Sequence, residues 1–236
     1  MYETYGLEKR TWSYKASETM NYEEDDLERK LKEPSEPIPE EKYLQFKYRI
    51  EEMSKKYPKR NIMLFQLGIA TGYRTEDLVC LTIGEIKEAL EKGYFDIQEQ
   101  KQFKSWKKKR AQDKNKKLKA PKRRKAEIEN NLRKLLKEYI KNKNKSEYAF
   151  KSNKGSHISA KSYSEFLCEV GKDLKIEHIG GHSMRKTYAM RLYDATGDLN
   201  YVRQCLGHKN IETTKLYLGF SKRDRQQAAK ITDDRL

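Results

Sequence analysis

A chain of 236 residues with 52 Lys and Arg against 36 Asp and Glu, a formal net charge of +16, has room for one large domain or two small ones, and its natural partner is a polyanion. Only 36% of the residues are hydrophobic while 37% are charged, and no apolar run approaches the length of a membrane-spanning helix. The opening residues MYETYGLEKR lack an apolar signal core, and Cys80, Cys168 and Cys205 stand far apart without CxxC or Cys/His ligand spacing, which reads as a cytoplasmic protein with reduced core thiols.

Residues 1–36 read as an acidic N-terminal arm with at most one short helix, because EEDDLERKLKEPSE leads into Pro34, Pro37 and Pro39. The compact part is expected to begin near Ile38, with a helix starting at Ser35 or Pro39-Glu40 and running through Leu44, Ile50 and Met53. Ile62 to Ala70 is apolar on nearly every side, the mark of a buried helix. Thr71-Gly72 ends it, since Gly suits the left-handed residue that closes a helix. Short helical pieces follow from Leu78 to Ile86, and Gly93 to Gln98 alternates as a strand.

Residues 101–125 form a basic run with a single acid, Asp113. Self-repulsion disfavours a packed element there in isolation, and strand-turn-strand stays open where an anion neutralises the charge. Ala126 to Ile140 has helical spacing, with Ile128, Leu132, Leu135, Leu136 and Tyr139 on one face. Tyr148 to Phe150 offers a short strand, and Ser159 to Leu174 is helical with Tyr163, Phe166, Leu167 and Val170 inward. Three helices follow: His182 to Asp194 after Gly180-Gly181, one carrying Leu199, Val202 and Leu206 and closed by Gly207, and Ile211 to Leu218. A polar helix from Lys222 to Ile231 ends the chain. No internal repeat is present.

Several of these segments carry chemistry. His182 and Arg185 lie one turn apart and project from one helical face, while Met184, Tyr188 and Leu192 form a core face. The open N-terminus after two glycines favours an anion. His208 sits at an exposed corner after Gly207, with Tyr217 nine residues on. A tyrosine at helical spacing is more often a core residue than a reactive one, so its company decides. Arg74 follows the Thr71-Gly72 turn, with Asp77 one turn on to steer its guanidinium.

Together these segments resemble the tyrosine recombinases, the family of phage integrases, Xer proteins and Cre. Thr71 to Leu78 (TGYRTEDL) resembles the first arginine motif, with Asp77 as its acid. His182 to Thr187 (HSMRKT) resembles the His-x-x-Arg box. Leu206-Gly207-His208 with Thr213-Thr214 and Tyr217 resembles the nucleophile segment. The resemblance spans about residues 37–220 and implies a mainly α-helical catalytic domain with a small antiparallel sheet, followed by a helical tail over 221–236. Tyr217 would be the nucleophile, Arg74 and Arg185 the clamps on the scissile phosphate, His208 a hydrogen-bonding partner of that phosphate, and His182 a proton-handling or positioning group. The family's catalytic lysine lies in a strand-turn-strand. Lys101 is the first choice here, because alternation along a continued strand sets it on the face of Ile97 and Glu99, and Lys104 is the second. Lys104, Lys107, Lys108, Lys109 and Arg110 are candidate DNA contacts.

The residue types suit the reaction. A phenol with a pKa near 10 must shed its proton as it attacks. Two guanidinium forks meet the negative charge that gathers on phosphorus. A lysine can protonate the departing 5′ oxygen. The phosphotyrosine link conserves the bond energy, so the resemblance implies neither a metal ion nor a nucleotide cofactor. It also implies double-stranded DNA as partner, four protomers on two DNA sites, room for an accessory protein, and a nucleoid-associated location. The 36-residue arm is too short for the N-terminal domain with which most members close around DNA. Three other readings stay open: a type IB topoisomerase-like strand transferase, a DNA-binding protein that keeps the fold without catalysis, and a basic RNA- or ribosome-binding protein.

Overall fold

The computed structural model describes residues 34–112, 118–219 and 228–234. The expectations for the acidic arm through residue 33 and for residues 220–227 of the tail lie outside them. After a single 3-10 turn at Glu40–Lys42 come α1 (Tyr43–Met53), α2 (Pro58–Thr71), α3 (Thr75–Val79) and α4 (Ile83–Lys92). β1 (Tyr94–Ile97), α5 (Gln100–Gln112) and β2 (Arg124–Glu127) follow. The chain continues through α6 (Asn130–Tyr139), α7 (Ala160–Asp173), α8 (Ser183–Thr196), α9 (Leu199–Leu206) and α10 (Ile211–Leu218). β1 and β2 pair antiparallel, from Tyr94 opposite Glu127 to Ile97 opposite Arg124. The fold is thus mainly α-helical with a small antiparallel sheet.

α2 is the central beam. Pro58 stands in its first turn, where a missing N–H costs nothing. Met63, Leu64, Phe65, Leu67 and Ile69 are all buried, as the apolar run over 62–70 implies, with Ala70 at its end exposed. It ends on Gly72 with φ 61°. A side chain there would also collide with the Tyr188 ring of α8, 2.3 Å from an ideal Cβ. α1 and α8 pack along the beam, and α7 packs on α1, tied to it by Arg49 to Asp173 at 2.6 Å. The main core runs from Ile38 to Met184. A second cluster of Ala189, Met190, Val202, Leu206 and Leu218 joins α8, α9 and α10, with Tyr217 partly buried against it.

Most helices obey local signals. Thr82 and Glu85 form a reciprocal capping box at α4. Ser159, Asp198 and Asn210 cap α7, α9 and α10 through their side-chain oxygens. Four expectations need correction. The basic run is not strand-turn-strand: after Ile97 the chain turns into helix α5, so Lys101 and Lys104 are one helical turn apart and the alternation argument separating them falls. Asp77 enables this by accepting the Gln100 N–H at 2.8 Å, a cap from another element. The helix expected from Ala126 starts only at Asn130, because the backbone of residues 124–127 pairs with β1 as a strand. Leu135, placed on the apolar face of its helix with Leu132 and Leu136, is exposed. At Tyr148–Phe150 there is only an isolated bridge, Thr82 to Tyr148. Among the tail residues described, 228–233 are helical with exposed side chains.

Candidate active site

The three motif segments converge. Arg74 is the N-terminal flanking residue of α3 in extended conformation, which turns its side chain back toward α8 and the start of α5. Thr75 ties the same turn to the segment before α8 through a 2.7 Å hydrogen bond to the Gly181 carbonyl. Arg185, one turn into α8, is only 1% exposed. Its Nη1 donates to Gly72 O at 2.6 Å and Glu99 Oε1 at 3.0 Å, and its Nη2 to Leu206 O at 2.6 Å. Arg185 therefore satisfies carbonyls at the ends of α2 and α9, where helices leave acceptors unpaired. Burial depresses its pKa, against the opposing pull of Glu99.

Arg74 and Arg185 are joined by a residue absent from the expected set. Glu99, 2% exposed, sits 2.6 Å from Arg74 Nη1, 3.0 Å from Arg185 Nη1 and 3.4 Å from Arg124 Nε. Burial pushes its carboxyl up, but the charges of Arg185 and Arg74 outweigh this and hold it below the usual range. Asp77, expected to steer Arg74, instead caps α5, and its own pKa is raised by burial. Arg74 Nη1 has no aligned hydrogen-bond acceptor despite its short contact with Glu99. Arg124, also unforeseen, donates to Thr71 O at 2.8 Å and Cys205 O at 3.1 Å, and stacks 3.6 Å from the Tyr73 ring centroid.

Beyond Arg185 lie His208 and Tyr217. His208 Nδ1 is 3.0 Å from Thr214 Oγ1, and the imidazole meets the Tyr217 ring edge-on with centroids 5.4 Å apart. Burial, reinforced by the Arg185 and Arg74 charges, lowers His208 to about 4, so its ring is neutral at neutral pH. The Tyr217 hydroxyl is buried without an aligned partner. Burial pushes its pKa to about 12, although Arg185 and Arg74 pull the other way. Lys186, buried in α8 and missed in the sequence, holds its ammonium 5.5 Å from the Tyr217 ring centroid.

On the solvent side a cavity of about 550 Å³ is lined by Arg74, Glu76, Lys101, Lys104 and His182, among others. Loss of hydration and then the charge of Lys101 lower the His182 pKa. His182 thus opens onto this cavity while Arg185 points into the protein, so the two do not share one open face as their spacing suggests. The glycines before α8 are not free for an anion: Gly180 N–H donates to Ser183 Oγ and Gly181 N–H to Ser164 Oγ. Lys107, Lys108, Lys109 and Arg110 are exposed along α5. Lys107 and Arg110 lie over the Phe103 and Trp106 rings, which stack on each other.

The sequence matches the model of the phage integrase family over residues 38–223. It is 27% identical over 174 residues to the probable integrase/recombinase YoeC of Bacillus subtilis, covering 73% of this chain and 84% of that protein. To the tyrosine recombinase XerH of Helicobacter pylori it is 28% identical over 198 residues, covering 82% of this chain but only 50% of XerH. The structure is similar to XerH crystallised before cleavage on its difH substrate, with a TM-score of 0.57 and 23% identity over 78% of this chain and half of that one. At that identity the likeness concerns the fold. Among the described residues no helix is long and apolar enough to cross a membrane.

Proposed function

Because this chain belongs to the phage integrase family, we propose that it is a tyrosine-type site-specific recombinase acting on double-stranded DNA, with residues 37–220 as its catalytic domain, residues 1–36 an arm and residues 221–236 a tail. The observation that carries this reading is the convergence of Arg74, Arg185, His208 and the buried, unpartnered Tyr217 hydroxyl from three separate segments. Of these groups, Tyr217 Oη is buried without an aligned partner, while Arg74 Nη1 is held 2.6 Å from Glu99. An unpaired buried polar group calls for an explanation, and a role in the reaction supplies one for Tyr217.

In the proposed reaction Tyr217 Oη attacks the scissile phosphorus. A bond forms between the phenolic oxygen and phosphorus, the bond from phosphorus to the 5′ oxygen breaks, and the DNA 3′ end stays on the protein. The phenol loses its proton to water during attack, helped by the Arg185 and Arg74 charges that oppose burial. Those guanidinia face the charge developing on the phosphate. Neutral His208 hydrogen-bonds the same phosphate, and His182 handles a proton or positions the strand from the cavity. Lys101 protonates the leaving 5′ oxygen. It is preferred over Lys104 because its charge bears directly on His182. Attack by another strand's 5′ hydroxyl reverses the step and regenerates Tyr217. Lys104 and the cations of α5 hold the flanking phosphates. Strand exchange proceeds on two sites in a tetramer, with room for an accessory protein.

The decisive experiment is trapping on a nicked suicide DNA, where the short cleaved strand diffuses away. The wild-type protein should form an SDS-resistant adduct. Tyr217→Phe should bind the same DNA and form none, since only the attacking oxygen is lost. An adduct formed by Tyr217→Phe would overturn the assignment.

A further inference from the structure

Glu99 lies where three guanidinium groups from distant segments meet. Its Oε1 takes Arg185 at 3.0 Å and Arg124 at 3.4 Å. Its Oε2 takes Arg74 at 2.6 Å and the Gln102 side-chain amide at 2.8 Å. Both carboxylate oxygens are thus engaged, and the residue is almost wholly buried. A lone carboxylate in such a place would be neutralised or expelled, and here the cations keep it ionised. Its backbone is fixed as well: Asp77 accepts the N–H of the next residue, Gln100, at 2.8 Å. Asp77 sits three residues after Arg74, so α3 carries both the arginine to be aimed and the anchor for the group that aims it. On the far side Arg124 is committed to Thr71 O, Cys205 O and the Tyr73 ring. It backs Glu99 and is not free to leave for DNA.

We infer that Glu99 is a positioning residue for strand cleavage: its carboxylate fixes the Arg74 and Arg185 guanidinia relative to each other and to Tyr217 before DNA arrives. The proposal rests on the recombinase reading above. Three guanidinia and one carboxylate leave two unbalanced positive charges. A phosphodiester brings one negative charge, and its five-coordinate transition state gathers a second. Glu99 therefore trims the cluster to the charge of the transition state while holding the forks in place, so that they need not reorganise during the reaction. Without it the cluster would carry three unbalanced charges, and Arg74, the partly exposed member, would be free to swing into the cavity.

The test compares wild type, Glu99→Gln and Glu99→Asp in single-turnover cleavage of the nicked suicide DNA from pH 6 to 10. DNA affinity and melting temperature are measured on the same samples. The wild-type adduct checks the recombinase reading separately: its absence sinks that reading, whereas its presence leaves the Glu99 comparison to decide the inference. Glu99→Gln should bind DNA at least as tightly as wild type, yet cleave about 100-fold more slowly at neutral pH, the scale of an ångström of misplacement. Its rate should also rise with pH at a lower pH than wild type, because a negative charge near the Tyr217 phenol is gone. Glu99→Asp keeps the charge and should restore the wild-type pH profile with a partly recovered rate. A Glu99→Gln protein with wild-type rate and profile overturns the inference. So does a slow one whose pH profile is unmoved, which would mark Glu99 as structural only. Should Glu99→Gln not fold, Glu99→Asp decides: at unchanged melting temperature and DNA affinity it must cleave at least tenfold more slowly, and equal rates refute the proposal.

Discussion

Gly72→Ala tests the joint on which the candidate site hangs. Gly72 has φ 61° and its carbonyl accepts Arg185 Nη1. An alanine in that conformation costs about 1–2 kcal/mol, partly offset by about 0.4–1 kcal/mol from a less flexible unfolded chain. The new methyl would also lie 2.3 Å from Tyr188 Cδ1 and 2.6 Å from Cε1, and overpacking of this kind adds about 1–3 kcal/mol. The net loss is about 1–5 kcal/mol, or a melting temperature lower by about 2–20 °C for a domain of this size. Gly197→Ala is the control. It has nearly the same geometry, φ 65°, ends α8 in the same way, and has no atom within 4 Å of the added Cβ. It should lose only about 1 kcal/mol. Urea denaturation followed by circular dichroism measures both, and a double-mutant cycle with Tyr188→Ala isolates the steric part, expected at about 1–3 kcal/mol. Equal losses for the two glycines would refute the close approach of α2 and α8. Gly72→Ala should also slow adduct formation more than its folded fraction explains.

Replacing Lys107, Lys108 and Lys109 of α5 with Gln should weaken binding to all DNA sequences alike and flatten the slope of log affinity against log salt by roughly 0.9 per lost phosphate contact. An unchanged slope would mean that the helix is a solvated surface. Lys101→Ala should cleave ordinary DNA slowly and a substrate with a 5′ bridging sulfur at nearly the native rate, because a thiolate leaves without a proton. Rescue of Lys104→Ala instead would exchange their roles. His208 titrates near 4 in the folded protein against an ordinary 6.5, so the unfolded chain binds the extra proton between those values. Its contribution to stability is therefore lost as pH falls from about 6.5 towards 4 and does not vary above that range. His208→Gln should flatten this part of the acid limb of a denaturation series, and an identical limb would count against a buried neutral imidazole.

The helices and their ends were legible because their causes are local. Gly72, Gly197, Gly207 and Gly219 each close a helix in the left-handed conformation, and the apolar run in α2 is buried along most of its length. Among the candidate residues, Arg74 and His208 stand just past such helix ends, at Gly72 and Gly207, whereas His182, Arg185 and Tyr217 were read from motifs that resemble those of a family. The course of the basic run was not legible, because α5 starts on a cap supplied by Asp77, 23 residues earlier. The inward turn of Arg185 and the importance of Glu99 and Arg124 were equally hidden. In the sequence Glu99 is one acid between two glutamines and Arg124 one cation among many. Glu99 can be buried only because Arg74, Arg124 and Arg185 reach it from separate elements, the last 86 residues away. Local spacing fixes which side chains leave a helix together. Whether a charge can be kept out of water depends on partners that only the packed chain brings within a few ångströms, where their attraction offsets the lost hydration.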